Sequence, residues 1–176
     1  MKVAIVYAST EGQTRKIVQF CADHLVGHGH AVEVIGARDA TDLDLGRFDV
    51  ALIAGSVHAG KYQKSLIAFV AKNAGVLAQM QSAFMSVSLA AAGDDPDDWN
   101  GLGQCVDRFG RKTGWAPKQV FHVAGAFRFS EYDFFKSWAM RWIASQKDEA
   151  VDPHSDTEYT DWVALTDTLD NWLKQI

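Results

Sequence analysis

The residues best suited to chemistry are the hydroxyl and glycine residues that follow the first apolar run of the chain. Residues 3–8 are almost entirely apolar, and Ser9, Thr10 and Thr14 then surround Gly12. This pattern is typical of a buried strand that turns into a helix. Hydroxyls, a glycine that permits a tight turn and the unpaired N–H groups of a helix's first turn together suit a phosphate dianion. The sequence predicts a phosphate-binding loop, and the alternative is that these residues only cap the helix.

The loop sequence disfavours two common classes of nucleotide site. It lacks the Gly-Lys-Ser/Thr ending that holds a nucleoside triphosphate with Mg²⁺. It also lacks the Gly-x-Gly-x-x-Gly fingerprint of a dinucleotide site. A monophosphate held by hydroxyls and backbone amides remains. The Ser-Thr-x-Gly-x-Thr motif resembles the loop with which flavodoxins hold FMN.

Four further apolar runs predict the other strands. Residues 48–55 and 83–89 are nearly continuous apolar runs, as parallel strands are when both faces of the sheet are covered, and residues 31–35 and 120–124 are shorter runs. Helical spacing fills the intervals between the runs. Strands that alternate with helices predict a parallel sheet wound on both faces. We therefore predict an α/β fold, a flavodoxin-like doubly wound five-stranded parallel sheet in the order 2-1-3-4-5.

Length and composition restrict the remaining classes of function. With 176 residues, 48% of them hydrophobic, the chain is predicted to form a single domain spanning 1–176. The net charge of −5 makes nucleic acid a poor partner. No metal site is predicted, because Cys21 and Cys105 are isolated and the acids of residues 94–98 most simply complement a helix start. The chain has no apolar stretch of membrane-spanning length, so we expect a cytoplasmic protein whose contact with the inner face of the cell membrane is at most peripheral.

A long segment separates the fifth predicted strand from the last predicted helix, which spans residues 160–174. This insertion, approximately residues 126–158, is far longer than the roughly two to six residues usual for such a connection. Within it Phe135, Trp138 and Trp142 recur at helical spacing. An aromatic helix of this kind can pack on the core, wall an apolar pocket or lie on a membrane surface. The sequence leaves these alternatives open.

Four segments extend the resemblance beyond flavodoxins in general. Residues 11–15, 82–87, 123–128 and 159–162, together with the insertion, resemble the menaquinone-dependent protoporphyrinogen IX dehydrogenase family over nearly the whole chain. The resemblance implies an FMN enzyme of heme biosynthesis that oxidises a porphyrinogen and passes the electrons to a quinone. It also implies, position by position, a set of FMN-binding residues in three loops: Ser9, Thr10, Glu11, Gly12, Gln13, Thr14, Ser56, Val57, His58, Ala59, Gly60, Tyr62, Ser88, Leu89, Ala90, Ala91, Ala92 and Gly93.

Two residues are candidates for catalysis. His58 is the one group in these loops suited to proton transfer near neutral pH, although a loop histidine often bonds only backbone or solvent. Arg128 is a candidate partner for a substrate propionate. Residues 90–98 contain no aromatic residue that could stack on the flavin. One flavin face is therefore predicted to be open, and the substrate is expected to stack on it near Tyr62. The competing hypothesis is a flavodoxin-type electron carrier that docks through its acidic surface and has no substrate of its own.

Overall fold

The computed structural model describes residues 1–127 and 157–176, and these residues form the predicted sheet. Its strands are β1 (Lys2–Ala8), β2 (Ala31–Gly36), β3 (Val50–Ser56), β4 (Gln81–Ser88) and β5 (Val120–Ala124). They lie in the order β2-β1-β3-β4-β5, and every neighbouring pair is parallel. The predicted order is therefore confirmed. The chain reverses its direction of winding between β1 and β3, and the carboxyl ends of these two strands lie beside each other.

Among residues 1–127 and 157–176, four helices cover the two faces of this sheet. They are α1 (Gln13–Gly27), α2 (Lys64–Gln79), α3 (Pro96–Thr113) and α4 (Trp162–Leu173). Helix α2 continues for one turn past Gly75, because a single glycine lowers helix stability without ending a helix whose apolar face is buried. Short 3-10 turns at Leu45–Arg47 and Ala90–Ala92 complete the connections.

Two hydrophobic cores lie on opposite faces of the sheet. Along β1, Val3 and Ile5 belong to the core under α1 and α4, whereas Ala4 and Val6 belong to the core under α2 and α3. This alternation is the consequence of side chains pointing to opposite faces at successive strand positions. Because both faces are buried, β1 and β3 are apolar almost throughout, and the ligand site is left to the ends of the strands.

Trp99 lies apart from the buried apolar face of α3. Leu102 and Phe109 are buried, but Trp99 is 41% exposed near the beginning of the helix. Its indole Nε1–H donates to the carbonyl oxygen of Gly93 at 2.9 Å, and its ring meets His122 edge to face. The tryptophan therefore braces the loop after β4 instead of filling the core.

The two ends of the insertion pair with each other. Strands β6 (Ala126–Phe127) and β7 (Thr157–Glu158) form a separate antiparallel ribbon. The aromatic helix predicted from Phe135, Trp138 and Trp142 lies outside the described residues. Among the helices of residues 1–127 and 157–176, none is long and apolar enough to cross a membrane.

Candidate functional site

The loop after β1 has the features that a phosphate group requires. Gly12 is the N-cap residue of α1, with a φ of 92° that L side chains rarely adopt. Its N–H donates to Ser9 Oγ at 2.9 Å, which closes the turn. Because glycine has no side chain, the N-cap residue offers no acceptor to the first-turn N–H groups of α1. Those groups and the positive end of the helix dipole therefore face the loop, where an anion is favoured.

Thr14 supplies a hydroxyl that has no partner within the protein. The residue is 1% exposed, and its Oγ1 makes no hydrogen bond with any described residue. Leaving a buried hydroxyl without a partner costs free energy, so such atoms in folded proteins usually face a ligand or water. Because Thr14 also lines the cavity described below, its hydroxyl is placed to bond a phosphate oxygen.

A polar clamp joins the first loop to β7. Gln13 Nε2 donates to Thr160 Oγ1 at 2.9 Å and to Glu158 Oε2 at 3.1 Å. Lys16 Nζ lies 2.6 Å from Glu158 Oε2, and this ammonium together with the Gln13 bond holds the pKa of Glu158 below its usual range. Thr160 in turn donates to the carbonyl oxygen of Ala124 at the end of β5. The clamp therefore fixes the returning end of the insertion against the phosphate loop.

The second loop is a tight turn whose tip lines the cavity. His58 and Lys61 exchange backbone hydrogen bonds of 2.9 and 3.0 Å, and both central residues have positive φ, 47° at Ala59 and 71° at Gly60. Positive φ at both central positions is typical of a type I′ turn. The turn is connected to the first loop by Gln63, whose Nε2 donates to Thr10 Oγ1 at 2.9 Å and to Ser56 Oγ at 2.6 Å. Sequence reasoning missed this glutamine, since a single amide carries no motif.

The third loop closes against the end of β5. Ser88 Oγ accepts the N–H of Ala91 at 3.2 Å, and the carbonyl oxygen of Ser88 accepts the N–H of Gly125 at 3.0 Å. A Cβ atom at Gly125 would come within 3.3 Å of Val87 Cγ1. Glycine at this position therefore lets the chain leaving β5 pass closely over β4.

These loops enclose a cavity of about 450 Å³. A volume of this order is typical of small-molecule sites. The cavity is lined by the first three loops, by Gly125 and Ala126 after β5, and by one side of α3. It therefore lies at the carboxyl edge of the sheet, next to the point where the winding reverses, where ligands of doubly wound sheets bind.

The wall formed by α3 was not predicted from the sequence. Asp97, Asp98, Gln104 and Arg108 line the cavity together with Cys105. Burial, with the nearby Asp95 and Asp97 carboxylates, raises the pKa of Asp98. The Arg108 guanidinium approaches Cys105 Sγ at 3.9 Å. The available signal was the polar stripe at positions 97, 101, 104 and 108, spaced by three and four residues beside the apolar stripe of the same helix.

Most of the FMN-binding residues predicted from the resemblance lie around the cavity. From the three loops these are the following: Ser9, Thr10, Glu11, Gln13, Thr14, Ser56, Val57, His58, Ala59, Gly60, Ser88, Leu89 and Ala90. Gly12 shapes the first loop without lining the cavity, and Ala91, Ala92 and Gly93 are not among the lining residues either. The candidate catalytic His58 lies at the cavity. Arg128 is outside the described residues.

Tyr62 is in a different environment from the one expected. Its side chain is 6% exposed, its hydroxyl is 2.7 Å from Ser86 Oγ, and its ring packs edge to face on Phe84 and Phe109. This burial raises its pKa well above the ordinary tyrosine value. Tyr62, predicted among the FMN-binding residues, is therefore held in the core and does not line the cavity. That the substrate stacks on an open flavin face near Tyr62 stays a prediction.

Comparison with known proteins places the chain in a family. The family described as flavodoxin domain matches residues 4–154. This chain belongs to the flavodoxin domain family. A crystal structure of oxidised flavodoxin 1 from Bacillus cereus shares the fold of this flavodoxin domain, with a TM-score of 0.59 over 100% of this chain and 99% of that one at 12% identity.

Two relatives of this flavodoxin domain carry an enzyme's name. Protoporphyrinogen IX dehydrogenase (quinone) from Escherichia coli (strain K12) is 27% identical over 92% of this chain and 89% of that protein. A protein of the same name from Leishmania major is 26% identical over 93% of this chain and 71% of that protein. Both matches span nearly all of this chain.

FMN is the cofactor of this flavodoxin domain, and the residues present fit it. The unpartnered Thr14 hydroxyl, the Ser9 and Thr10 hydroxyls and the uncapped start of α1 suit a phosphate monoester. The phosphate loop, residues 9–14, contains no lysine or arginine that could neutralise a second phosphate. A loop of this chemistry favours a mononucleotide over a dinucleotide.

Proposed function

We propose that this flavodoxin domain is an FMN-dependent oxidoreductase that oxidises a porphyrinogen of the protoporphyrinogen IX class and uses a quinone as electron acceptor. The observation that supports this proposal most is the match to the E. coli enzyme over 92% of this chain and 89% of that protein. A match of that extent includes the loops after β3 and β4 as well as most of the sheet.

The residues of the first loop hold the cofactor by its phosphate. The Thr14 and Ser9 hydroxyls and the first-turn N–H groups of α1 bind its oxygens, while the clamp from Gln13 to Glu158 keeps the loop in position. When bound, FMN supplies the two-electron redox chemistry of the reaction. In each two-electron step the porphyrinogen loses a hydride equivalent and a proton, and the quinone gains two electrons and two protons to become a quinol.

The second loop and α3 supply the groups that face the substrate. His58 is fixed at its backbone by the paired bonds to Lys61, and in this proposal its imidazole receives the proton that the porphyrinogen releases. Arg108, on the α3 wall of the cavity, is placed to pair with a substrate carboxylate. Arg128, predicted for this role from the sequence, is proposed as a second such partner.

The third loop lines the cavity with aliphatic and hydroxyl side chains, none of them aromatic. Ser88, Leu89 and Ala90 line the cavity where an aromatic side chain would cover it. The adjacent Trp99 points its indole N–H at the carbonyl of Gly93 and is not a lining residue. Room for a planar substrate favours an enzyme over a carrier, which needs only an exposed edge of its flavin.

An anaerobic assay tests the proposal. FMN-loaded protein is mixed with protoporphyrinogen IX and menaquinone, and the appearance of the fluorescent porphyrin is followed. We expect porphyrin formation that requires protein, FMN and quinone together. If the protein leaves porphyrinogen unoxidised but still exchanges electrons with a reduced redox partner, it is an electron carrier instead. The net charge of −5 would suit the docking surface of such a carrier.

A further inference from the structure

A cluster of metal-ligating side chains lies at the other end of α1, away from the phosphate loop. His24 and His28 are one helical turn apart, and Asp170 of α4 faces both. His24 Nε2 is 2.7 Å from Asp170 Oδ1, and His28 Nε2 is 3.8 Å from the same oxygen. The three donor atoms lie within 4.8 Å of one another. No step of the proposed reaction uses them.

The hydrogen bond made by His28 determines which of its nitrogens is free. His28 Nδ1 is 2.9 Å from the carbonyl oxygen of His24, which can only accept. Nδ1 therefore carries a proton, and in the neutral ring Nε2 has an exposed lone pair. A second-shell bond of this type from one ring nitrogen to a carbonyl is what orients metal-ligating histidines.

That lone pair lies close to a carboxylate oxygen. Two electron-rich atoms, His28 Nε2 and Asp170 Oδ1, approach to 3.8 Å with no donor between them when His28 is neutral. A cation between the two rings and the carboxylate removes this repulsion. The carboxyl end of α1 adds the negative end of its helix dipole, which also favours a cation.

We propose that His24 Nε2, His28 Nε2 and one oxygen of Asp170 bind a divalent transition-metal ion of the Zn²⁺ class, with solvent as the fourth ligand. Zn²⁺ holds such ligands at about 2.0–2.2 Å in a tetrahedron, which places neighbouring ligand atoms roughly 3.3 Å apart. The distances of 2.7 and 3.8 Å bracket this value, so small side-chain rotations suffice once the ion displaces the proton between His24 Nε2 and Asp170 Oδ1, which is released to solvent while Nδ1 of the neutral ring carries the remaining proton. The Asp170 and His28 side chains are 37% and 48% exposed, which gives the ion a path from solvent.

The bound ion ties the end of α1 to α4. In its absence the contact is a His24–Asp170 ion pair, which is the competing interpretation of the same geometry. Because an ion that binds only the folded chain stabilises it by mass action, the metal raises the melting temperature, whereas the ion pair alone gives no response to added metal.

Titration of FMN-loaded protein with Zn²⁺, followed by calorimetry, tests the site. We expect one equivalent to bind to the wild-type chain. Asp170→Asn and His28→Ala, each of which removes one ligand, should weaken binding by roughly tenfold or more, a loss comparable to that caused by removing an outer-shell partner. His30→Ala is the matched control, because His30 is a nearby, partly exposed histidine outside the cluster, and it should bind Zn²⁺ as the wild type does.

Two further measurements complete the test. The melting temperature of the wild type should rise with Zn²⁺ and not with Mg²⁺, which prefers oxygen ligands, and Asp170→Asn should abolish the rise. If the wild type binds Zn²⁺ no more tightly than Asp170→Asn does, the proposal is overturned and the His24–Asp170 ion pair is the correct interpretation. An equal loss in His30→Ala would overturn it too, by moving the site elsewhere. None of these readouts depends on porphyrinogen turnover.

Discussion

Thr14 is the residue on which the phosphate site depends most directly, because its hydroxyl is buried without a partner among the described residues. Replacing it with valine keeps the shape and removes the oxygen. We expect FMN to bind roughly tenfold to a hundredfold more weakly, since a hydrogen bond to a charged group contributes about 1.5–3 kcal/mol. Quenching of flavin fluorescence on binding measures the affinity.

Thr14→Val is also expected not to lower the stability of the FMN-free protein. Without FMN, Thr14→Val should be at least as stable as the wild type, because it removes an unsatisfied polar atom from a buried position. Thr168→Val, whose hydroxyl bonds a carbonyl on α4, is the control and should leave FMN affinity unchanged. Unaltered FMN binding in Thr14→Val would contradict the placement of the phosphate.

His58 makes the corresponding prediction for turnover. If its imidazole receives the substrate proton, His58→Gln should lower kcat by about 10²–10⁴-fold while FMN remains bound, because general bases typically contribute that much. The backbone bonds to Lys61 do not involve the side chain, so the loop should persist. Steady-state kinetics with His30→Gln as control check this. An unchanged kcat would exclude the histidine from catalysis.

Among the elements, β3 and α2 show how closely the sheet and its helices pack below the site. A Cβ at Gly55 would lie 2.5 Å from Leu66 Cδ2 and 3.2 Å from Tyr62 Cδ1, whereas a Cβ at Gly75 meets nothing within 4 Å. Gly55→Ala should therefore cost about 1–3 kcal/mol of unfolding free energy. Gly75→Ala, in the interior of α2, should add about 0.5–1 kcal/mol. Urea denaturation measures both unfolding free energies. If the two substitutions change stability equally, the close packing of β3 against α2 at Gly55 is wrong.

The clamp between α1 and β7 predicts a dependence on pH. The pKa of Glu158 is lowered, chiefly by its bond with Lys16, so its stabilising contribution is present above the ordinary glutamate pKa and is lost as pH falls through the lowered value. Because Lys16 is 60% exposed, the contribution should be no more than about 1 kcal/mol. Melting curves of wild type and Glu158→Gln should differ at neutral pH and converge in acid. A difference in melting temperature that stays the same at every pH would show that the charge of the Glu158 carboxylate does not stabilise the clamp.

The sequence allowed the elements to be predicted well because their signals are local. The apolar runs of β1 and β3 and the loop around Gly12 follow from periodicity and turn chemistry. Contacts between distant segments carry no such signal. Gln63 bridging Thr10 and Ser56, and the α3 wall with Arg108, depend on how the helices dock. Tyr62 was misplaced for the same reason, since its position in a polar loop did not reveal that its ring turns into the core.

At the scale of the whole molecule, the cavity is assembled from the ends of four strands, β1, β3, β4 and β5, which FMN is proposed to contact together. A ligand that binds only the folded chain stabilises it by about 2.7 kcal/mol at a hundredfold excess over its dissociation constant. For a chain of this size that corresponds to a rise of roughly 5–10 °C in the melting temperature. FMN should produce this rise.

Riboflavin and FAD separate the contribution of the phosphate site from that of the rest of the cavity. Riboflavin lacks the phosphate that the Thr14 hydroxyl and the start of α1 are proposed to bind, so at equal concentration it should raise the melting temperature far less. FAD places a second phosphate and an adenosine where the loop provides no matching cation, so it too should stabilise less than FMN. Differential scanning fluorimetry compares the three directly. If FAD stabilises the chain as strongly as FMN, the first loop accommodates a dinucleotide and the monophosphate assignment is wrong.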